Sequence, residues 1–558
     1  MIADIVIPPG LLLILGGLVL PLLPLHLRQA TLLVLPLLVL AAIWTIPDGI
    51  ALRASFLGQT LVLVQGDALS RLFATVFAVM GFGGGLFALN QTRITELAAA
   101  LCYTGGAIGV VFAGDLITVF AFWELMALAS TLIVCCGGPA ARGAGLRYGV
   151  IHLFGGVLLM AGIAGEVATT GSTTFGPMVL DSPARWLMLA GFLINAGAPP
   201  LAAWLPDAYP ESSWSGMVFL SAFTTKTAVY VLMRGFPGAE VLVPIGLLMV
   251  FYGIVYAILE NDIRRILAYS IVNQVGFMVA GIGIGTEMAL NGVAAHAFAH
   301  IIYKALLLMS AGSVLFMTGK RNCTDVGGLF RSMPITTVCG IVGALSISAF
   351  PLTSGFISKS MISEGAAGAH LPLVWYLLAA ASAGVFLHAG IKFPWFVFFQ
   401  KDSGLRPPDP PWNMRAAMIF FSALCLGLGV MPGPLYALLP FPVAYVPYTA
   451  NHVIFQLQLL LFSGLAFFLM LGWLQRTLTI TLDVDWFWRG RYVRSLGLGA
   501  DRAWGAIERQ GERLGRIVVR LVRRHHGIEG VLARTWPTGS MAFWTAVMLA
   551  AYLIISYV

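Results

Sequence analysis

The chain has 558 residues, of which 59% are hydrophobic and 10% charged, with a formal net charge of +8. A soluble domain carries about 25% charged residues, so the composition excludes an ordinary water-soluble enzyme and defines a polytopic membrane protein whose length counts spans. None of the six cysteines forms a C-x-x-C pair, and neither a Walker A sequence nor a strand-linked nucleotide fingerprint is present; zinc or iron–sulfur ligation, a resident cofactor and nucleotide hydrolysis are therefore not expected.

Sixteen apolar runs fall near 7–26, 30–46, 68–90, 96–113, 114–135, 146–165, 184–204, 216–235, 242–259, 266–284, 291–317, 335–360, 372–399, 414–431, 453–474 and 540–557. The first is span-length with no basic region before it, which reads as a span and not a cleavable signal. Residues 51–66 read as extended or interfacial. With the N-terminus outside, the inner loops hold twelve basic residues and the outer loops and span ends only three, Arg53, Arg185 and Arg234. This asymmetry orients the chain and puts both termini outside.

Charges inside the spans come next. Glu124 lies mid-span in 115–130, and His152 lies in the sixth run, where a hydrogen-bonded structural histidine is the favoured reading. The seventh run carries Ala198-Pro199-Pro200, and the twelfth carries Pro351 within SISAFPLTSGF. Proline in a helix interior frees a carbonyl, and broken backbone survives in a membrane only inside protein or beside a cavity. Two such breaks in corresponding places predict inverted repeats around a midplane site. Lys226 lies in 220–233 and Lys359 follows the second break by eight residues. His296, His300 and Lys304 recur at i, i+4 and i+8, on one helical face. His388 and Lys392 share another face. Ionisable groups in hydrocarbon are costly and mark ion pathways, so Glu124, Lys226, His296, His300, Lys304, Lys359 and Lys392 are the candidate proton path. Lys392 has a second reading, with its ammonium snorkelling to an interface.

Residues 485–535 differ. Trp504, Ile507, Leu514, Ile517, Val518, Leu521, Ile528, Val531 and Leu532 form one helical stripe, and eleven arginines against four acids give 489–534 a charge of +7. The spacing predicts a basic amphipathic helix of about 50 Å lying on a membrane surface or along partner helices. Nucleic acid is the lesser alternative, since a span follows at once.

The stretches GDLITVFAFWEL (114–125), WLPDAYPESS (204–213), NDIRRILAYSIVNQVGF (261–277), HAFAHIIYKALLLMSAG (296–312) and PLTSGFISKSMI (351–362) resemble the antiporter-like subunits shared by Mrp-type cation/proton antiporters, complex I and membrane-bound hydrogenases. The resemblance covers residues 60–430 and is nearest to the D-type subunit of the Mrp antiporters. It implies an all-α fold with fourteen core spans, two inverted five-helix repeats and a hydrophilic axis. The expected divisions are N-terminal spans 1–95, repeats 96–235 and 236–400, C-terminal spans 401–484, a lateral helix 485–535 and a final span 536–558. In this resemblance Glu124, Lys226, Lys359 and the group His296, His300 and Lys304 match the family's translocation residues. One position departs: where the family carries a lysine before the first break, this chain has Asn195.

The resulting expectation is a proton-translocating subunit of a multisubunit Na+/proton antiporter in the cell membrane, among other membrane subunits and lipid. A pump subunit of a redox complex is the alternative, and a non-transporting scaffold a third reading. With lysine absent at 195, Glu124 is expected to act on Lys226, directly or through water held by Asn195.

Overall fold

Backbone polar groups have no water to bond in hydrocarbon, so apolar segments of this length form helices. The computed structural model describes residues 7–56, 58–472, 483–484, 509–511, 513–522, 524 and 537–557. The helices, in order, are α1 (Pro9–Val19), α2 (Leu25–Ile43), α3 (Ala68–Phe87), α4 (Ile94–Phe112), α5 (Leu116–Cys135), α6 (Ala141–Thr170), α7 (Pro183–Ala196), α8 (Trp204–Ala208), α9 (Gly216–Leu220) and α10 (Thr224–Gly235). They continue with α11 (Leu242–Leu259), α12 (Ile263–Ile284), α13 (Glu287–Thr318), α14 (Pro334–Ile347), α15 (Phe356–Gly368), α16 (Pro372–Val385), α17 (Trp412–Val430), α18 (Gly433–Tyr436), α19 (Ala450–Leu469) and α20 (Thr538–Tyr557). Each of the sixteen apolar runs contains a helix. Among the described residues, thirteen helical segments are long and apolar enough to cross a membrane, and Pro9–Leu22 and Pro334–Ile347 are shorter apolar helices.

The chain forms two units, 1–483 and 484–558. In the first, α12 and the segment Gly216–Gly235 are buried throughout, whereas only about a fifth of the apolar window of α2 or α19 is covered. The centre is α13, whose 32 residues rise about 48 Å and pack against α3, α9, α10, α12, α14, α15 and α17. Beside it α11 lies on α12 at backbone contact: a Cβ on Gly246 would sit 2.3 Å from Ala280 N, and one on Gly276 2.7 Å from Gly246 O. Residues 51–66 belong to an antiparallel hairpin, β1 (Gly49–Phe56) with β2 (Gln59–Gly66). Asp115 fastens it to the bundle. One carboxylate oxygen caps α5 through Ile117 N and Thr118 N, and the other accepts from Val62 N at 2.7 Å.

At the opposite end, the WLPDAYPESS stretch is held by arginines. Arg147 makes a bidentate pair with Asp207 at 2.7 and 2.9 Å. Buried Arg264, on α12, donates to Pro210 O, Ser212 O and Ser213 O at 2.7–2.8 Å. Arg321 bridges Glu211 and Asp262.

Three transverse interruptions shape the interior. Helix α7 stops at Ala196, with Gly197 left-handed at φ 80° before Pro199-Pro200. Helix α14 stops at Ile347 and α15 resumes at Phe356; Ala349 and Leu352 take positive φ on either side of Pro351. The third, between α9 and α10 at Ser221–Phe223, contains no proline. Residues Phe386–Lys392 and Trp395–Phe399 are π-helical, a form that recurs at functional positions.

In the second unit, residues 509–511, 513–522 and 524 are helical, with Leu514, Ile517, Val518 and Leu521 exposed. The remainder of the expected lateral helix lies outside the described residues.

Candidate functional site

The interior line is assembled from helix ends and one unbroken helix. Helix α13 places His296, His300 and Lys304 fully buried on one face. Opposite it, α12 supplies Ser270, Asn273 and Gln274. The His296 Nε2 atom lies 3.0 Å from Gln274 Oε1, and Tyr303 OH donates to the same oxygen at 3.2 Å. On its other side, His296 Nδ1 lies 3.2 Å from Ser358 Oγ, next in sequence to Lys359. The His296 and His300 rings are 6.2 Å apart, and Tyr303 meets His300 edge-on at 5.2 Å. Both nitrogens of His300 are buried without a partner. Lys304 donates to Ser270 Oγ at 2.8 Å.

Three lysines bind the carboxyl ends of helices. Lys226, in the first turn of α10, donates to Ser221 O at 2.7 Å and to Thr225 Oγ1 at 3.0 Å. Lys359 donates to Ile347 O, the last residue of α14, at 3.0 Å, and its Nζ lies 5.0 Å from the Phe277 ring centroid. Lys392 donates to Ala257 O, Ile258 O and Glu260 O at 2.6–2.7 Å, closing the end of α11. Such ends carry partial negative charge and unpaired carbonyls, so a lysine there satisfies acceptors that broken helices expose. Lys226, Lys304 and Lys359 form no ion pair with a carboxylate among the described residues.

Glu124 stands apart from this line. It is half-buried on α5, nine residues beyond its cap, and its Oε1 is buried without a partner. Its carboxyl lies on Gly156 of α6, where a Cβ would come within 1.9 Å of Oε1. Glu124 makes no direct contact with Lys226; the expected partnership is not a salt bridge here. Asn195, at the end of α7, is hydrogen-bonded through Oδ1 to His152 Nδ1 at 2.8 Å. Beside Asn195, the carbonyl of Ile194 accepts both from Gly197 N at 3.1 Å and from Trp204 Nε1 at 2.9 Å, tying the break at Pro199-Pro200 from within.

The structure thus gathers His296, His300, Lys304, Lys226 and Lys359 around α12 and α13, and leaves Glu124 and Lys392 at the margins. Ser270, Gln274, Tyr303 and Ser358 were not singled out from sequence. Ser270 and Gln274 share the i, i+4 spacing that marked the histidines, and that signal would have found them. A cavity of about 560 Å³ reaches Lys359 from the membrane end that carries the 369–371 and 431–449 loops; Ser360, Glu364, Tyr445 and His452 line it. Among the described residues no three His, Cys, Asp or Glu side chains are gathered to hold a metal ion.

Interrupted helices meeting at buried lysines, with histidines strung between them, define an antiporter-like helical membrane subunit. Residues 113–386 match the family described as NADH:quinone oxidoreductase/Mrp antiporter, transmembrane. The chain is 30% identical over 355 residues to NADH-quinone oxidoreductase subunit N of Desulforudis audaxviator, covering 58% of this chain and 71% of that protein. It is 29% identical over 343 residues to the D subunit of the Na(+)/H(+) antiporter of Alkalihalophilus pseudofirmus, covering 57% and 67%. The chain belongs to the NADH:quinone oxidoreductase/Mrp antiporter family and is a multi-pass membrane protein.

Two solved complexes contain chains of this fold. A chain of the Mrp complex from Dietzia sp. DQ12-45-1b superposes with a TM-score of 0.76 at 20% identity, covering 98% of this chain and 62% of that one. A chain of the membrane-bound sulfane sulfur reductase, an archaeal respiratory membrane complex, superposes with a TM-score of 0.70 at 25% identity, covering 98% and 99%.

Proposed function

We propose that this chain translocates protons as one subunit of a multisubunit monovalent cation (Na+)/proton antiporter. The observation that carries the reading is the line of buried titratable side chains from Lys226 through His300, Lys304 and His296 to Lys359, linked by Ser270, Gln274 and Ser358. Buried ionisable groups without carboxylate partners are costly to retain for structure alone. Spaced along one path they can hand on charge, because protonation of one changes the affinity of the next. The similarity to the D subunit of a Na(+)/H(+) antiporter supports the cation-coupled form. A second reading, the proton-pumping arm of a redox complex, is favoured by the end-to-end match to the sulfane sulfur reductase chain.

The chain sits among other membrane subunits and lipid in the cell membrane, with residues 485–535 along the cytoplasmic face, bracing its neighbours. The divisions at 96–235 and 236–400 act as the two repeats of the path.

The test is purification of the native complex with its subunits and metals identified, followed by proton uptake in inverted vesicles. Na+-dependent uptake by a complex of membrane subunits alone supports the antiporter; iron–sulfur or flavin subunits, with uptake driven by their substrate, support the redox form. Lys226→Ala is expected to abolish uptake in either. Full uptake in an intact Lys226→Ala complex would overturn the path.

A further inference from the structure

Sequence alone favours a hydrogen-bonded structural role for His152; the structure shows that bond, to Asn195, and beside it a buried nitrogen with no partner among the described residues. The histidine is 1% exposed on α6. Its Nδ1 is held by Asn195 Oδ1, so the hydrogen of the neutral ring sits on Nδ1 and the Nε2 lone pair is left over. Nε2 is buried and has no partner among the described residues. The ring is clamped against Tyr148 at 4.1 Å and Trp204 at 4.6 Å between centroids.

Two further orphans lie in this region, Tyr209 OH and Glu124 Oε1, of which Glu124 is the carboxyl. It rests on Gly156, one turn along α6 from His152, and the built Cβ of Gly155 lies 3.6 Å from Asn195 Oδ1. Residues four apart lie on the same helical face. The bare glycines let neighbours approach α6 closely: the Glu124 carboxyl lies over Gly156, and Ile194 of α7 lies 3.3 Å from the Cβ position of Gly155. On the far side, Tyr148 OH donates to Ser130 Oγ at 2.9 Å and lies 3.5 Å from Thr224 Oγ1. Thr224 opens α10, two residues before Lys226, and Tyr103 OH touches it at 2.5 Å. The titratable and charged groups around His152 are therefore Glu124 from α5, Tyr148 from its own helix, Tyr103 from α4, Tyr209 beyond α8, and Lys226 from α10; Asp207 of α8 is already paired with Arg147.

Resting on the proton-translocation reading, we propose that His152, locked in one tautomer by Asn195, is the proton-exchange partner of Glu124 and the link from it toward Lys226. In the forward step the Glu124 O–H bond breaks and an Nε2–H bond forms through an intervening water, leaving a carboxylate and an imidazolium. The electron pair stays on the carboxylate oxygen, and no oxidant or reductant is involved. The hydroxyls of Tyr148, Ser130 and Thr224 continue the route toward Lys226, and the reverse transfer resets the pair. Asn195 is a positioning residue: it does not titrate, and it aims Nε2.

The experiment uses the intact complex with two readouts, proton uptake in inverted vesicles and the pH titration of the Glu124 carboxyl infrared band. His152→Gln keeps the bond to Asn195 and removes the exchange. It is expected to cut uptake on the order of 10² and to move the band's midpoint by about one pH unit or more. Asn195→Leu is expected to give a smaller loss with the same direction of band shift. The double variant His152→Gln with Asn195→Lys returns a titratable nitrogen to the same spot and is expected to recover uptake, which a packing role would not allow. An assembled His152→Gln complex with unchanged uptake and an unchanged Glu124 band overturns the proposal. A band shift in a complex whose wild type moves no protons leaves the pair standing and removes the transport reading instead.

Discussion

Gly156→Ala isolates the position of one carboxyl group. A Cβ at 156 would stand 1.9 Å from Glu124 Oε1 and 2.8 Å from its Cδ, whereas ordinary contact begins at 3.4 Å. The carboxyl must therefore retreat by about 1.5 Å, and a misplacement of about 1 Å at a reacting group costs on the order of 10² in rate, or about 2.7 kcal/mol of barrier. The fold should not suffer. The obstructing atom is the far end of a flexible side chain, and alanine is the better helix former by about 1 kcal/mol. Gly143→Ala is the control on the same helix, because a Cβ there meets only Arg147 Nη1 at 3.5 Å. The expected outcome is a Gly156→Ala complex with an unchanged or raised thermal midpoint and proton uptake reduced about a hundredfold, while Gly143→Ala behaves as wild type. Wild-type uptake in Gly156→Ala would refute the claim that the seat of Glu124 on α6 matters to transport.

Arg264→Met should lower the thermal midpoint of the complex, since it leaves the carbonyls of Pro210 and Ser212 unpaired and strips a bond from Ser213 O at a cost of about 3 kcal/mol or more; an unchanged melting curve would show that this clamp contributes nothing. A single cysteine at position 510 should react with an impermeant maleimide from the cytoplasmic side only, as the loop charges require. Labelling from the outside alone would invert the topology.

What the sequence made visible is what local chemistry controls. Apolar runs located the helices, Pro199-Pro200 and Pro351 located two interruptions, and the i, i+4, i+8 spacing located the face of α13 that carries His296, His300 and Lys304. The third interruption, at Ser221–Phe223, left no mark because no proline or glycine signals it; tertiary packing of α9 and α10 sets it. The partner of His152 was equally hidden. Asn195 is 43 residues away, and only the packing of α6 on α7 brings the two together. The place of Lys392 at the end of α11 depends on a helix more than 130 residues earlier, so its own surroundings in sequence could not distinguish a relay from a clasp. Similarity to known proteins supports the membrane fold and the family; the individual roles of these side chains rest on the variants described above.

The lysines at the helix ends differ in how many hydrogens they commit. An amine offers two N–H donors and an ammonium three. Lys359 uses one and Lys226 two, so each can keep every bond it makes after giving up a proton. Lys392 uses at least three, and neutralising it would strip a bond from the end of α11. On the proposed path the first two would be charged and discharged like the plates of a capacitor, passing a change of field to their neighbours while their own scaffold stands still. If the proposed path holds, Lys226 and Lys359 can change charge without a helix having to move, whereas a change of charge at Lys392 would loosen the end of α11.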